Sequence, residues 1–298
     1  MKKYLVNYAN QEFYNDQKNF SKEALKFGID GVFSYTDKMI KKTSFYKKNK
    51  RVLDIPKGGG LWLWKPYVIL EAMKQIEEGD LLIYADSAAK MINRVDALVS
   101  QCKKQGGILL FTNTLTNKIW AKRDCFVWMN CDSKKYWEAK QAMGGFQVYI
   151  KNKKSMKFVK DFLKFCQIPY ILDDQLVGWP NRSGLSDLPG FKAGRNDQPI
   201  LSNLAVKYKI KLFRDPSQNG NHLKAPEFRQ KGEWLNYPYK YAEHPDFESK
   251  YPTIFYNYRG RIRSMIFLHS IHSKLPLKIK LLNKKTWDYL RRNKQSDI

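Results

Sequence analysis

Three short stretches carry side chains that can do chemistry together. Gly79-Asp80-Leu81-Leu82-Ile83-Tyr84-Ala85-Asp86-Ser87-Ala88 is an apolar run that ends in a carboxylate. Such a run reads as a buried strand, and in an open α/β sheet ligands bind in the crevice beyond the carboxyl ends of the strands. An aspartate there suits a metal ion or a sugar better than it suits a core. Gly58-Gly59-Gly60-Leu61-Trp62-Leu63-Trp64-Lys65-Pro66-Tyr67 is a flexible glycine turn with two indoles and a lysine. It closes on a proline that reads as the first residue of a helix. On an extended segment Trp62 and Trp64, two positions apart, share one face. One is expected in the core and the other against a ligand. The third stretch is Gly194-Arg195-Asn196-Asp197-Gln198-Pro199-Ile200-Leu201-Ser202. Asp197 sits where a helix cap would sit, a role worth ~1 kcal/mol, and also where a carboxylate can meet a substrate. Asp173-Asp174-Gln175 is read as loop, because adjacent carboxylates on a strand project in different directions.

The order and content of these blocks resemble the GT-A-type glycosyltransferases of bacterial lipopolysaccharide and capsule assembly. Members of that family carry a Gly-aromatic-Trp-x-Trp-Lys-Pro segment, a Tyr-x-Asp-x-Gly strand end and an Arg-x-Asp-Gln motif. The likeness runs from about residue 3 to residue 222. It implies an α/β, GT-A-like (Rossmann-like) fold, a single mixed sheet flanked by helices, and transfer of a sugar from a nucleotide-sugar donor to a growing cell-surface glycan.

The resemblance also assigns roles. Asp197, Gln198 and Asp86 become the catalytic group. Asp197 is the base or sugar-orienting carboxylate, and Gln198 a hydrogen-bonding partner of the donor sugar. Tyr8, Ala9, Trp62, Trp64, Lys65, Asp86, Ser87 and Arg195 become the donor-binding set, with Tyr8 and Ala9 at the nucleotide base, Lys65 reaching the diphosphate, and Arg195 pairing with phosphate or holding Asp197. Gly144, Gly145 and Phe146 fall where the family places an acceptor-side segment. Charge develops on the departing diphosphate and the oxocarbenium-like sugar, so cations and carboxylates placed in advance supply most of the rate gain. A divalent metal, Mn2+ or Mg2+, is expected at Asp86, with His222 as a later ligand and Ser87 as a water-mediated contact. The motif here is Asp86-Ser87-Ala88, without a second carboxylate and with alanine for the family's glycine. Magnesium keeps several waters, so one or two protein ligands suffice.

The elements that must position these residues follow from periodicity. Lys3–Ala9 reads as a strand, Gln11–Phe27 as a helix and the stretch after Gly28-Ile29-Asp30 as a second strand, a βαβ opening. Lys38–Lys50 is a basic, partly helical connector. A helix is expected over Tyr67–Glu77 with Val68, Ala72 and Met73 inward, a strand over Leu81–Ala85 and a helix over Val95–Lys104. Further strands are expected at Gly107–Thr112 and Phe146–Ile150, and further helices at Ser155–Cys166 and Gln198–Lys207. Residues 1–222 form the expected catalytic domain and 223–298 a loop with a basic C-terminal segment.

Composition bounds the alternatives. The 298 residues are 43% hydrophobic and 14% aromatic, enough for a substantial core. Cys102, Cys125, Cys131 and Cys166 show no paired metal spacing and read as buried thiols of a reducing compartment. Met1-Lys2-Lys3 leads straight into strand-like Tyr4–Tyr8, which is not a secretory pattern. No apolar run approaches the ~18 residues of a spanning helix. The net charge of +26 attracts polyanions. Residues 250–298 hold twelve Lys and Arg against two acidic residues, interleaved with Phe, Leu, Ile and Trp287, the pattern of a segment lying on anionic lipid. The expected setting is therefore cytoplasmic, peripheral on the inner face of the membrane, with a glycan or lipid-linked glycan as acceptor. The rival classes are a nucleic-acid-binding protein, which charge and aromatics permit but for which no helix-turn-helix, zinc-finger, RRM or KH signature appears, and a catalytically inactive GT-A-like glycan-binding module.

Overall fold

Strand β1 (Lys3–Ala9) runs parallel to β2 (Gly31–Thr36) on one side and to β3 (Leu81–Ala85) on the other. The computed structural model describes residues 1–173, 181–217, 220 and 251–257. Within them β4 (Ala89–Met91) follows β3, then β5 (Ile108–Thr116), β6 (Lys140–Ile150), β7 (Leu212–Arg214) and β8 (Phe255–Asn257). The main sheet has the order β2-β1-β3-β6-β5-β7. Its strands all point the same way except β6, which is antiparallel to both neighbours. The fold is thus α/β, one mixed sheet flanked by helices, as expected.

Strand alternation divides the core between the two faces of the sheet. Val6, Leu82, Tyr84, Leu110 and Tyr149 face the helices Trp64–Gln75, Lys153–Cys166 and Asp197–Lys207. Leu5, Leu81, Ile83, Ala85, Leu109 and Val148 face the helices Tyr14–Ala24 and Asp96–Lys104. Residues 251–257 close this second face. Phe255 is fully buried and stacks on Phe146 at 4.6 Å, and β8 pairs with β4. Met1–Asn257 form one compact unit. The basic C-terminal segment beyond it, His222 and Asp174-Gln175 lie outside the described residues.

Local signals place several elements as read. The helix Lys153–Cys166 starts with a capping box between Asn152 and Ser155. Val68, Ala72 and Met73 are fully buried in the helix Trp64–Gln75. That helix starts earlier than expected, so Pro66 is its third residue and not its first. Strand β6 is also longer than Phe146–Ile150, and Gly144 and Gly145 lie inside it. Asp197 is the first residue of its helix, while Asn196 holds the cap position with no side-chain cap bond. No described helix is long and apolar enough to cross a membrane.

Candidate functional site

Lys65, Asp86 and Asp197 meet at the carboxyl ends of β1 and β3. The Lys65 ammonium lies 2.9 Å from Asp197 Oδ2 and 4.0 Å from Asp86 Oδ1. Chain direction makes this the place for a ligand. The chain leaves β1 to form β2 on one side and returns to form β3 on the other, and open α/β sheets bind their ligands at such a switch point. Asp86 is the accessible carboxylate, with its side chain 35% exposed, against 3% for Lys65 and 6% for Asp197.

Each charged group is held by an identifiable device. Period-two alternation puts Tyr84 and Asp86 on one face of β3, and the Tyr84 hydroxyl donates to Asp86 Oδ1 at 2.6 Å. Burial pushes the Tyr84 phenol up, Asp86 adds to this, and the hydroxyl stays a donor. The Asp86 amide donates to the Gly145 carbonyl, extending the β3–β6 ladder by one rung. The glycine pair leaves the room. A Cβ on Gly144 would lie 3.1 Å from Lys65 Nζ and 3.2 Å from Asp197 Oδ2, and one on Gly145 would lie 3.1 Å from Asp86 Oδ2.

The glycine-tryptophan segment delivers the lysine. A Cβ at Gly60 would lie 2.6 Å from the Leu53 Cα, so only glycine allows this approach. Leu61 and Trp62 then take left-handed φ values of 53° and 60°, each costing on the order of 1–3 kcal/mol. Asn196, before Asp197, has φ 52° and is tied through its side-chain amide to the Leu172 carbonyl. The two partners of the buried ion pair are therefore both launched from strained backbone. The turn also corrects the expectation of a shared tryptophan face. Trp64 is buried, donates its indole N–H to the Gly58 carbonyl and stacks on Tyr8 at 3.8 Å, whereas Trp62 is half-buried beside Gly58.

Burial raises the Asp197 pKa, Asp86 adds to this, and Lys65 pulls it partly back. Burial works against the Lys65 ammonium, but Asp197 and Asp86 together outweigh it and hold its pKa above the ordinary value. A cation in the first turn of a helix opposes the helix dipole, whereas Asp197 in the first turn of its own helix is favoured by it. The ammonium stays because the carboxylates are there.

The other expected site residues have partners within the fold. Lys65 is engaged by carboxylates and is not extended toward open space. The Ser87 hydroxyl donates to the Tyr8 carbonyl at 2.6 Å, tying the ends of β1 and β3 together. The Arg195 guanidinium lies over the Trp120 ring, 5.8 Å from its centre, and Lys65 pairs with Asp197. The Gln198 amide donates to Gln141, which donates in turn to Asn117 and to the Trp120 carbonyl. Ala9 and Phe146 are buried, and Phe146 packs on the opposite face of the sheet. Tyr84 and Gln141 were missed. The i, i+2 spacing to Asp86 was a legible signal for Tyr84, whereas nothing local marks Gln141.

Next to the cluster is a recess lined by Tyr8, Asp37, Ile40, Lys41, Tyr46, Leu53, Gly59 and Trp64. The Tyr14 hydroxyl donates to Asp37 there. Burial, and then Asp37, push the Tyr8 phenol up, so it remains protonated. For a divalent metal the donor set is thin. Asp86 Oδ1 is taken by Tyr84, Lys65 stands between the two carboxylates, and no group of three ligating side chains occurs among the described residues. Among the described residues, Asp86 is the one exposed carboxylate of the cluster that could meet such an ion.

No protein-family model matches the chain, and no curated protein matches it in sequence. Among solved structures, the bifunctional glycosyltransferase WbbM in its apo form aligns with a TM-score of 0.40 and 8% identity, over 68% of this chain and 37% of that one. Mouse xyloside xylosyltransferase 1, also apo, aligns with a TM-score of 0.46 and 9% identity, over 86% of this chain and 97% of that one. This chain thus spans little more than a third of WbbM.

Proposed function

We propose that the protein is a glycosyltransferase that uses a nucleotide-sugar donor and acts on a cell-surface glycan. The observation that carries this reading is the Asp86–Lys65–Asp197 cluster at the switch point of the sheet, beside an aromatic recess. Asp86 is the carboxylate that meets the donor sugar, since it alone of the three is substantially exposed. Asp197 acts from behind it, through Lys65. The recess, with Tyr8 and Trp64 as apolar walls and Asp37 as a hydrogen-bond acceptor, suits the flat heterocycle of a nucleotide. The surplus of basic residues draws the diphosphate in. The motif order of the sequence supports the same reading, and the basic segment beyond residue 257 is assigned to the anionic inner face of a membrane.

A thermal-shift panel of nucleoside diphosphates tests this directly, because a ligand of the native state raises its stability by mass action. A shift with one diphosphate, followed by turnover of the matching nucleotide sugar, is the expected result. A shift without turnover of any sugar would favour a glycan-binding module. No shift with any diphosphate, together with one from single-stranded RNA, would overturn the reading in favour of nucleic-acid binding.

A further inference from the structure

The surroundings of the Lys65 ammonium are those of an organic cation and not of a hydrated metal. Asp197 lies on one side at 2.9 Å and Asp86 on another at 4.0 Å. The rings of Tyr84 and Trp64 cover it further, with centres 5.4 and 6.0 Å away. Aromatic faces attract an ammonium through their quadrupole but offer no lone pair to manganese or magnesium, which take oxygen ligands. The Tyr84 phenolic oxygen is committed to Asp86. The fit is also tight, since a single methyl group at Gly144 would come within 3.1 Å of the ammonium.

We propose that Lys65 is the resident cation of this site. Its ammonium occupies the place between Asp86 and Asp197, fixes both carboxylates as a positioning residue, and keeps a divalent ion from bridging them. A lysine that merely filled the core would have no need of two left-handed residues to deliver it. The importance of this arrangement for catalysis rests on the glycosyltransferase reading, but its test does not.

The test is manganese binding to the full chain without nucleotide, followed by loss of the free-ion electron paramagnetic resonance signal. Wild type is expected to leave the signal unchanged, and Lys65→Met to bind about tenfold more tightly or better, as two carboxylates become free to share one ion. Tight binding by wild type that Asp86→Asn abolishes would overturn the proposal. So would a folded Lys65→Met that binds no better than wild type. If Lys65→Met does not fold, recovery of the fold in Lys65→Met/Asp197→Asn supports the proposal, since it removes the stranded carboxylate, and failure to recover overturns it. None of these readouts needs a sugar, so a wrong assignment of the reaction would leave the result standing.

Discussion

Lys65 and Asp197, remote from each other in sequence, form a buried ion pair at 2.9 Å with side-chain exposures of 3% and 6%. Removing one member of such a pair leaves an uncompensated charge out of water, which typically costs about 3–5 kcal/mol. Lys65→Met and Asp197→Asn are each expected to lower urea stability by that order. The double variant should lose clearly less than the sum of the two. Strict additivity in a double-mutant cycle would show that the pair is not coupled.

The alkaline limb of stability should carry the same signature. The Lys65 pKa lies above its ordinary 10.5, so the folded chain keeps a proton that the unfolded chain releases. The stabilisation is complete below that ordinary value and is lost as pH rises through the folded-state value. The stability gap between wild type and Lys65→Met is therefore expected to narrow in strong alkali, and also as pH falls, where Asp197, freed of the lysine that pulls its raised pKa back, takes up a proton in the variant. A gap that stayed unchanged into strong alkali would contradict the charged state assigned to Lys65.

Asp86→Asn tests the exposed carboxylate. Asparagine keeps the shape and an acceptor for the Tyr84 hydroxyl, so melting should change little. Transfer from the nucleotide sugar identified by the thermal-shift panel should fall by about 10²–10³, the usual loss for one preorganised electrostatic group. An Asn variant as active as wild type would remove Asp86 from the reaction.

Gly144→Ala probes the packing of the cluster without touching a charge. Its Cβ would press on both Lys65 Nζ and Asp197 Oδ2. A loss of about 1–3 kcal/mol is expected, as for other overpacked sites, together with a drop in transfer. Gly79→Ala is the contrasting case, because a Cβ there meets nothing within 4 Å and φ is positive, so it reads backbone strain alone, whereas Gly144 lies within strand β6 and is not among the positive-φ glycines. A Gly144→Ala variant with unchanged stability and transfer would show that the cluster has room for the Cβ.

Phe255→Ala examines whether residues 251–257 belong to the folded unit. Phe255 is fully buried and stacked on Phe146, so a loss of about 3–5 kcal/mol is expected. A change under about 1 kcal/mol in chemical denaturation would place this segment outside the core.

The sequence by itself determined those features whose cause is local. Leu81–Ala85 is apolar throughout because the strand is covered on both faces, and Asp86 marks its end. The helix Lys153–Cys166 announces itself through its cap and its amphipathic spacing. The motif blocks also named all three members of the charged cluster. Their arrangement was decided by tertiary structure. An extended reading of Trp62 and Trp64 gave one shared face, but the close pass of Gly60 over the Leu53 backbone turns the chain and sends Lys65 inward. Asp197 reads locally as a cap, and becomes an ion-pair partner because Gly144, on a different strand, leaves the space for Lys65 to reach it. Strand β6 runs against its neighbours for reasons that no window of β6 contains. Ion pairing, steric clearance and strand direction are relations between distant segments, and only the folded chain brings those segments together.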